Sequence, residues 1–235
     1  MDVAVLYSGG KDSNYALAWA VKKGLKVKTL VTMVPKKKDS YMFHVPNIHL
    51  TEYQAQAMNV PIIIAPTSGE KEKELEELKA ILKKLRTEGE ISGLVVGAIA
   101  SKYQKTRIEK ICKDLDLHLF DPLWGIDAVE YLKNLVTEGY KVIIVGVYAQ
   151  GLDEKWLGRE LDKKAIEELI ELEKKHKINL AFEGGEAETF VLDCMLFKKK
   201  LEVIESEKKW DGIRGEMNIK ELKLVEKEKK EKGEN

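Results

Sequence analysis

The stretch Ser8-Gly9-Gly10-Lys11-Asp12-Ser13 decides how the rest of the chain is interpreted. It follows a short apolar run, residues 3–7, and opens a segment with helical periodicity that continues to Lys23 and ends at Gly24. Its two glycines let the backbone turn sharply and approach an anion, and the N-terminus of a helix presents unpaired N–H groups. The stretch therefore predicts a phosphate-binding loop between a first strand and a first helix.

The side chains of this loop fit the same purpose. The two serines provide hydroxyl groups, Lys11 provides a positive charge, and Asp12 can bind a magnesium ion or cap the helix. The predicted nucleotide-binding residues of the loop are Ser8, Gly9, Gly10, Lys11, Asp12 and Ser13. Lys11 and Asp12 are also predicted to be catalytic, and Asp12 to be the metal ligand. The stretch has neither the spacing of a Walker A loop nor that of a dinucleotide fingerprint. The alternative to a phosphate-binding loop is an ordinary strand–turn–helix with a serine cap.

Strand-like and helix-like segments alternate along the first half of the chain. Strands are predicted at 27–33, 62–65 and 94–97, and helices at 51–58, 70–86 and 103–115. Near-continuous apolar strands separated by helices are typical of a parallel sheet covered on both faces. We therefore predict an α/β fold, a doubly wound parallel sheet with a second, smaller α/β domain.

The dipeptide Asp121-Pro122 interrupts this pattern, because proline restricts the residue before it and cannot continue a helix. The second half contains predicted helices at 127–138 and 162–175 and predicted strands at 142–147, within 182–192, at 201–206 and at 216–225. We predict one domain at 1–122, which carries the phosphate loop, a second domain at 123–225 and a charged tail at 226–235.

Composition limits the partners. The 40 basic and 40 acidic side chains cancel, whereas a generic nucleic-acid-binding surface needs a basic excess, so no nucleic acid is expected. No apolar run approaches the roughly 20 residues that span a bilayer, so no membrane is expected. Cys112 and Cys194 lie far apart with no CxxC spacing, which favours a reducing, cytoplasmic compartment. The oligomeric state is open, and a homodimer is compatible with the sequence.

The loop resembles the PP-loop of the ATP pyrophosphatase family, whose members cleave ATP between the α and β phosphates. Longer segments narrow the resemblance: DSYMFHVPNIHL (39–50), TSGEKEKE (67–74), GAIASKYQKTRIE (97–109), GLDEKWLGRELD (151–162) and EGGEAETFVLDCMLF (183–197). Together with SGGKDS they are similar to the diphthine–ammonia ligase family over nearly the whole chain, up to Phe197. Ala187 departs from the pattern, where an aromatic residue is expected in many relatives.

The resemblance implies a parallel sheet of the adenine nucleotide alpha-hydrolase-like type, with 1–122 as the PP-loop ATP-binding domain and 123–225 as the substrate-side domain. It also implies an enzyme with ATP and Mg²⁺ as cofactors. Its expected substrate is diphthine, a modified histidine of translation elongation factor 2 that carries a carboxylate and a trimethylammonium group. ATP would adenylate the carboxylate, and ammonia would displace AMP to leave an amide. Three alternatives remain: the same chemistry on another carboxylate such as a corrinoid precursor, a tRNA-modifying PP-loop enzyme, and a non-enzymatic ATP-binding module.

The segment EGGEAET, residues 183–189, is the second stretch that carries chemistry. Its three carboxylates repel one another unless a cation or a proton sits among them, and a trimethylammonium, an ammonium or a magnesium ion would supply that cation. Trp156 and Tyr148 could add aromatic faces for a quaternary ammonium. Glu183 and Glu186 are the predicted catalytic carboxylates. The predicted substrate-binding residues of the segment are Glu183, Gly184, Gly185, Glu186 and Glu188; the alternative is a solvated acidic turn.

Further candidates follow from the rule that ligands gather at the carboxyl ends of parallel strands. Thr32, Met33, Gly97 and Ala98 are predicted to contact the nucleotide, and Tyr103, Arg107, Trp156 and Arg159 the substrate. A solvated helix face is the equal alternative for Arg107, and an Arg–Glu structural pair for Arg159. For His44 and His49 we expect a surface or packing role rather than catalysis.

Overall fold

The structure is a computed structural model that describes residues 1–36, 46–70, 72–97 and 102–228, with residues 102–104 described by backbone alone. A five-stranded sheet forms the first half, with β1 (Asp2–Leu6), β2 (Lys26–Pro35), β3 (Ile62–Thr67), β4 (Gly93–Val95) and β5 (His118–Phe120). Its spatial order is β3-β2-β1-β4-β5, and all its strand pairs are parallel. The helices of this half are α1 (Lys11–Lys22), α2 (Thr51–Met58), α3 (Lys73–Thr87) and α4 (Lys102–Asp114). The predicted doubly wound α/β fold is confirmed.

The alternation of side chains along β1 divides the core into two layers. Ala4 faces the side covered by α3 and α4, where Leu78 and Ile111 are buried. Val5 faces the other side, where Leu17 of α1 packs. Because β1 is apolar on both faces, it takes the central position of the sheet.

The second half forms an antiparallel sheet of β6 (Lys141–Val147), β7 (Ala187–Asp193), β8 (Lys199–Trp210) and β9 (Gly215–Glu226), in the order β7-β6-β9-β8. Two helices accompany it, α5 (Ala128–Thr137) and α6 (Lys163–His176). Asp127 and Asp162 cap these helices, since their carboxylates accept hydrogen bonds from the N–H groups of Glu130 and Ala165.

The two sheets share one hydrophobic cluster, because the apolar side chains around Val5 and Leu17 continue into Val145 of β6 and Phe190 of β7. This continuity places the N-terminus of α1 directly against the second sheet. The division into domains at 1–122 and 123–225 stays a prediction, and of the predicted tail only residues 226–228 lie in the described part of the chain.

Several strand limits differ from the prediction. β5 was not predicted, since three residues are too few to show a periodic pattern. β2 continues to Pro35 rather than ending at Met33, so Thr32 and Met33 lie inside the strand. β8 extends to Trp210 through the polar residues 205–209, because pairing along its full length with β9 holds these residues in an extended conformation.

Candidate active site

The predicted phosphate loop, residues 8–13, lies between the end of β1 and the first turn of α1. Gly9 adopts a φ of +81°, which L-residues with side chains rarely tolerate. A Cβ atom at Gly9 would lie 2.5 Å from Oε1 of Gln54. Gly10 is the N-cap residue of α1 and has no side chain with which to cap it. Gly9 is therefore required by the packing at this turn, whereas a Cβ atom at Gly10 would lie 3.2 Å from the carbonyl and hydroxyl oxygens of Thr189, a tight contact.

Strand β7, which belongs to the other half of the chain, holds the phosphate loop in place through hydrogen bonds. The carbonyl oxygen of Gly9 accepts a hydrogen bond of 3.0 Å from the N–H of Val191 and one of 2.9 Å from Nε2 of Gln54. The same amide nitrogen of Gln54 donates to the carbonyl of Val191 at 2.8 Å. The buried amide of Gln54 thus bridges the loop and the strand, a connection that the sequence analysis did not identify.

Lys11 is the most connected residue of the loop. Its backbone N–H donates to the Thr189 hydroxyl at 3.1 Å, so Thr189 partly replaces the side-chain cap that Gly10 lacks. Its ammonium group donates to the Asp12 carboxylate at 2.9 Å and to the Ala181 carbonyl at 2.7 Å. The side chain is only 2% exposed, so this charge is held in place rather than free to move in solvent.

Asp12 has a second partner in α5, because the Tyr131 hydroxyl donates to its carboxylate at 2.9 Å. Burial, reinforced by the charge of Asp12, raises the pKa of the Tyr131 phenol well above its usual value, so the hydroxyl stays a donor. Asp12 therefore lies between a fixed cation and a fixed hydroxyl donor. Sequence reasoning missed Tyr131, which belongs to an ordinary amphipathic helix.

The first turn of α1 retains two backbone donors that no described residue uses. Among the described residues, the N–H groups of Asp12 and Ser13 have no acceptor. The Ser8 hydroxyl lies 3.4 Å from the Ser13 hydroxyl, which donates to the Gly10 carbonyl at 3.2 Å. Two free N–H groups and two hydroxyls beside a helix N-terminus are a set of donors that fits a phosphate group.

Gly97 follows β4 and lies against this same turn. A Cβ atom there would lie 2.6 Å from the carbonyl oxygen of Asp12 and 2.8 Å from the nitrogen of Ser13. A larger residue would therefore displace the first turn of α1. The nucleotide contact predicted for Gly97 stays a prediction, and Ala98 lies outside the described residues.

In the acidic segment, Glu186 holds its own loop. Its two carboxylate oxygens accept hydrogen bonds from the backbone N–H groups of Asn179, at 3.1 Å, and Gly184, at 2.9 Å. The catalytic role predicted for Glu186 stays a prediction, but both of its oxygens are already engaged. Gly184 and Gly185 are exposed at the tip of this loop, and Glu183 beside them is partly buried.

Glu188 occupies a different environment, one residue inside β7. Within the described part of the chain its carboxylate makes no hydrogen bond or ion pair, although the side chain is mostly buried. Burial raises its pKa to about 8; Lys11 opposes this shift, whereas Asp12, Glu183 and Glu216 reinforce it. Glu188 thus lies in the electrostatic field of the phosphate loop and holds its proton into the neutral range.

Trp156 and Arg159 form a structural unit away from these groups. Trp156 is 5% exposed, and the Arg159 guanidinium covers its ring at 4.3 Å from the ring centre. Arg159 is paired with Glu168 through two hydrogen bonds, at 2.6 and 2.9 Å. The structure therefore shows the Arg–Glu pair, and the substrate contacts predicted for Trp156 and Arg159 stay predictions that this arrangement does not favour.

The remaining candidates are also engaged or lie elsewhere. Arg107 pairs with Glu72 at 3.2 Å on the surface. Thr32 is fully buried and its hydroxyl donates to the Tyr7 carbonyl at 2.7 Å, while Met33 is 1% exposed, so neither side chain is open to a ligand. His49 is exposed in a short 3₁₀ helix. The side chain of Tyr103 and all of His44 lie outside the described residues.

The two thiols are buried, and the described residues contain no cluster of metal-binding side chains. Cys112 and Cys194 are buried and unpaired, and burial raises their pKa values to about 12 and about 11, so both are poor nucleophiles at neutral pH. Within the described residues no three His, Cys, Asp or Glu side chains form a group that could hold a metal ion. Every helix in that part of the chain is too short or too polar to cross a membrane.

Comparison with known proteins identifies the family. The family model described as the diphthamide synthase N-terminal domain matches residues 1–119, and that of the C-terminal domain matches residues 127–225. A Bos taurus protein named diphthine–ammonia ligase is 37% identical over 226 residues, and the Homo sapiens protein of that name is 36% identical; each match covers 88% of this chain and 84% of the relative.

A solved structure is more distantly similar. It is described as a predicted subunit of tRNA methyltransferase from Methanocaldococcus jannaschii, with 20% identity and a TM-score of 0.46, covering 83% of this chain and 98% of that one. At that distance its name says nothing about the function of this chain. The curated relatives are ligases and the two family models together cover most of the sequence, so this chain is an enzyme of the ligase class and belongs to the diphthamide synthase family.

Proposed function

We propose that this ligase uses ATP to adenylate the carboxylate of diphthine on translation elongation factor 2, and then amidates it with ammonia to give diphthamide, with release of AMP and pyrophosphate. The observation that carries the proposal is the contact between Lys11 and Thr189, because it brings the phosphate loop against the strand that bears Glu188. A nucleotide on the loop and a substrate beside β7 would meet there. The names of the curated relatives support diphthine and ammonia as substrates.

The first half-reaction joins the substrate carboxylate to AMP. A carboxylate oxygen attacks the α-phosphorus, the bond between the α and β phosphates breaks, and pyrophosphate leaves. Lys11 and the free N–H groups of Asp12 and Ser13 would stabilise the negative charge on the phosphates. Since their positions are fixed by the protein before the nucleotide arrives, little reorganisation is needed during the reaction.

The second half-reaction replaces AMP by ammonia. The nitrogen attacks the acyl carbon, AMP leaves with its electron pair, and the nitrogen loses a proton. Glu183 and Glu188 are the carboxylates we propose for accepting this proton and for holding the cationic part of the substrate, because Glu186 is engaged in its own loop. Without substrate, the raised pKa of Glu188 keeps it protonated; the positive charge of the bound substrate would lower that pKa and favour the ionised form. All these groups come from one chain, so the site does not require a homodimer.

Magnesium fits this site only together with a nucleotide. Mg²⁺ usually takes one or two protein carboxylates and completes its shell with phosphate oxygens and water. Asp12 supplies such a carboxylate beside the phosphate loop, and the described residues offer no cage of three ligands. Asp12 would hold the ion, whose charge would help to neutralise the phosphates.

The test is a reconstitution with purified protein. Elongation factor 2 carrying diphthine is incubated with ATP and Mg²⁺, with and without ammonium, while AMP, pyrophosphate and the mass of the modified peptide are measured. We expect amide and stoichiometric AMP only when ammonium is present. Amidation of a free corrinoid carboxylate instead, modification of tRNA, or ATP binding without any pyrophosphate release would each overturn the proposal in favour of the corresponding alternative. The proposed reaction is cytoplasmic, and the two buried thiols are compatible with that compartment.

A further inference from the structure

A row of three residues crosses the second sheet beside the phosphate loop. Gly146 of β6 pairs with Glu188 of β7 on one side and with Glu216 of β9 on the other. Side chains that lie opposite one another in adjacent strands point to the same face of the sheet. Because the middle residue has no side chain, a gap separates two carboxylates whose backbones are about 10 Å apart, twice the usual strand spacing.

The ring of Tyr148 covers this gap. Tyr148 lies two residues after Gly146, and therefore on the same face, and its backbone N–H donates to the Glu186 carbonyl at 2.9 Å. A Cβ atom on Gly146 would lie 2.6 Å from the Tyr148 hydroxyl oxygen and 2.9 Å from Cε2. The hydroxyl donates to Glu216 at 3.0 Å. Glycine at position 146 is thus what allows the ring to lie between the two carboxylates.

The arrangement is partly exposed and lies beside the phosphate loop. Tyr148, Glu188 and Glu216 are all partly exposed, whereas Gly146 beneath them is buried. Thr189, the residue after Glu188, accepts a hydrogen bond from the backbone of Lys11, and Glu188 interacts electrostatically with Lys11 and Asp12, so this end of β7 lies close to the loop.

Negative charge accumulates around Glu188. Asp12, Glu183 and Glu216 all add to the negative field at this residue, whereas Lys11 is paired with Asp12 at 2.9 Å and Arg214 with Asp211 at 3.2 Å. Trp156, the other aromatic candidate, is buried beneath Arg159 and cannot serve.

We propose that Tyr148, held over Gly146 between Glu188 and Glu216, binds the trimethylammonium group of the substrate and makes the enzyme selective for the trimethylated form. The inference rests on the proposed function. A quaternary ammonium cannot donate a hydrogen bond, so an aromatic face with carboxylates beside it is the chemistry that recognises it. Tyr148 acts on specificity; it takes no part in the transfer of AMP or of the proton.

The experiment compares two protein substrates that differ only in this cation: elongation factor 2 bearing diphthine, and the same protein bearing the unmethylated amine. For Tyr148→Leu we expect KM for the trimethylated substrate to rise roughly tenfold, with a smaller change for the amine, which can still pair with the carboxylates. Tyr148→Phe keeps the ring and should retain the preference. Gly146→Ala should displace the ring and reproduce the loss. Tyr53→Leu, which alters a half-exposed tyrosine of α2, is the matched control.

Competition provides a second readout. Tetramethylammonium chloride should inhibit the wild-type enzyme and Tyr148→Phe, but should inhibit Tyr148→Leu much less. Equal loss on the two substrates, or equal inhibition of all variants, would mean that Tyr148 has a structural role only and would overturn the inference. If the wild-type enzyme amidates neither substrate, the proposed function fails and the inference falls with it; if it amidates diphthine and Tyr148→Leu keeps full selectivity, the inference alone fails.

Discussion

Lys11 and Thr189 are joined by a hydrogen bond of 3.1 Å from a backbone N–H to a hydroxyl, across 178 residues of sequence. The bond supplies a cap that α1 does not find in its own sequence, because its N-cap residue is Gly10. The same strand continues to Val191, which donates to Gly9. The phosphate loop therefore takes its shape from the second half of the chain, and the proposed nucleotide site depends on both halves.

Removing this cap should weaken nucleotide binding and stability together. Thr189→Val keeps the volume of the side chain but leaves the N–H of Lys11 without its acceptor, which should lower the free energy of unfolding by about 1–2 kcal/mol. ATP affinity, measured by calorimetry, should fall as the first turn of α1 loosens. Thr87→Val is the control, because the Thr87 hydroxyl bonds only within an exposed helix turn. An ATP affinity equal to that of the wild type would show that the cap does not organise the loop.

Gly97 should tolerate no side chain. Gly97→Ala places a Cβ atom within 2.6 Å of the Asp12 backbone, so the first turn of α1 must move and both stability and ATP affinity should fall. The comparison is Gly24→Ala, at a glycine with a φ of +74° and open space around it, which should cost only the backbone strain of about 1 kcal/mol. Thermal unfolding and calorimetry measure both effects. Similar behaviour of the two variants would contradict the close packing assigned to Gly97.

Glu186 and Glu188 should differ in kinetics. Glu186→Gln keeps one of the two acceptor oxygens that hold the loop, so we expect both half-reactions to fall together and modestly. Glu188→Gln removes a carboxylate that has no hydrogen-bond or ion-pair partner among the described residues, and we expect the exchange of labelled pyrophosphate into ATP to persist while amide formation falls more steeply. The reverse pattern, with adenylation intact only in Glu186→Gln, would return the base role to Glu186.

Stability should depend on pH through Glu188. Its pKa is about 8 in the folded protein against an ordinary 4.5, so the folded state binds this proton more tightly than the unfolded state between these values. Raising the pH through that window therefore destabilises the fold, by at most about 1.4 kcal/mol per pH unit. We would measure urea unfolding between about pH 5.5 and about pH 8.5, which covers most of that window. The free energy of unfolding should fall more steeply with pH for the wild type than for Glu188→Gln. Glu205→Gln, on the exposed part of β8, should follow the wild type.

The two cysteines should be dispensable for catalysis. Because burial raises the pKa values of Cys112 and Cys194 to about 12 and about 11, the native protein should react slowly with iodoacetamide and the urea-unfolded protein rapidly. Cys112→Ala and Cys194→Ala should retain amide formation, with some loss of stability from the small cavities. Loss of activity in a variant that remains folded would revive the thiol chemistry of a tRNA-modifying enzyme.

The local patterns of the sequence were sufficient for much of the fold. Helix α2 begins and ends at the predicted residues 51 and 58, and Asn59, which follows it in a left-handed conformation, is a residue type that commonly ends helices. The parallel sheet also follows from the sequence, since β1 and β2 are apolar on both faces. β5 and the ends of β2 and β8 were not predicted correctly, because pairing with neighbouring strands decides them and that information is not local.

The candidate site, like the fold, was only partly predictable from the sequence. SGGKDS and EGGEAET identified the two segments that meet, since glycines beside charged residues are a local signal. Sequence alone could not distinguish Glu186 from Glu188, because both belong to one motif and lie two residues apart. Their partners distinguish them: Glu186 accepts a hydrogen bond from a backbone N–H group of its own loop, whereas Glu188 lies opposite Gly146 in the sheet. Nor could it identify Tyr131, Gln54 or Glu216, which are ordinary residues until the fold brings them to the loop or to Gly146.

By itself, the sequence determined the family, the α/β class and the position of the phosphate loop, because each depends on residues adjacent along the chain. Only the tertiary structure decided which carboxylate is engaged and which aromatic ring is accessible. Trp156 and Tyr148 are equal candidates in the sequence, yet one is buried beneath Arg159 and the other lies over a glycine between two carboxylates. The physical reason is that burial and pairing are set by contacts between distant segments, and these contacts determine the electrostatic environment in which a side chain acts.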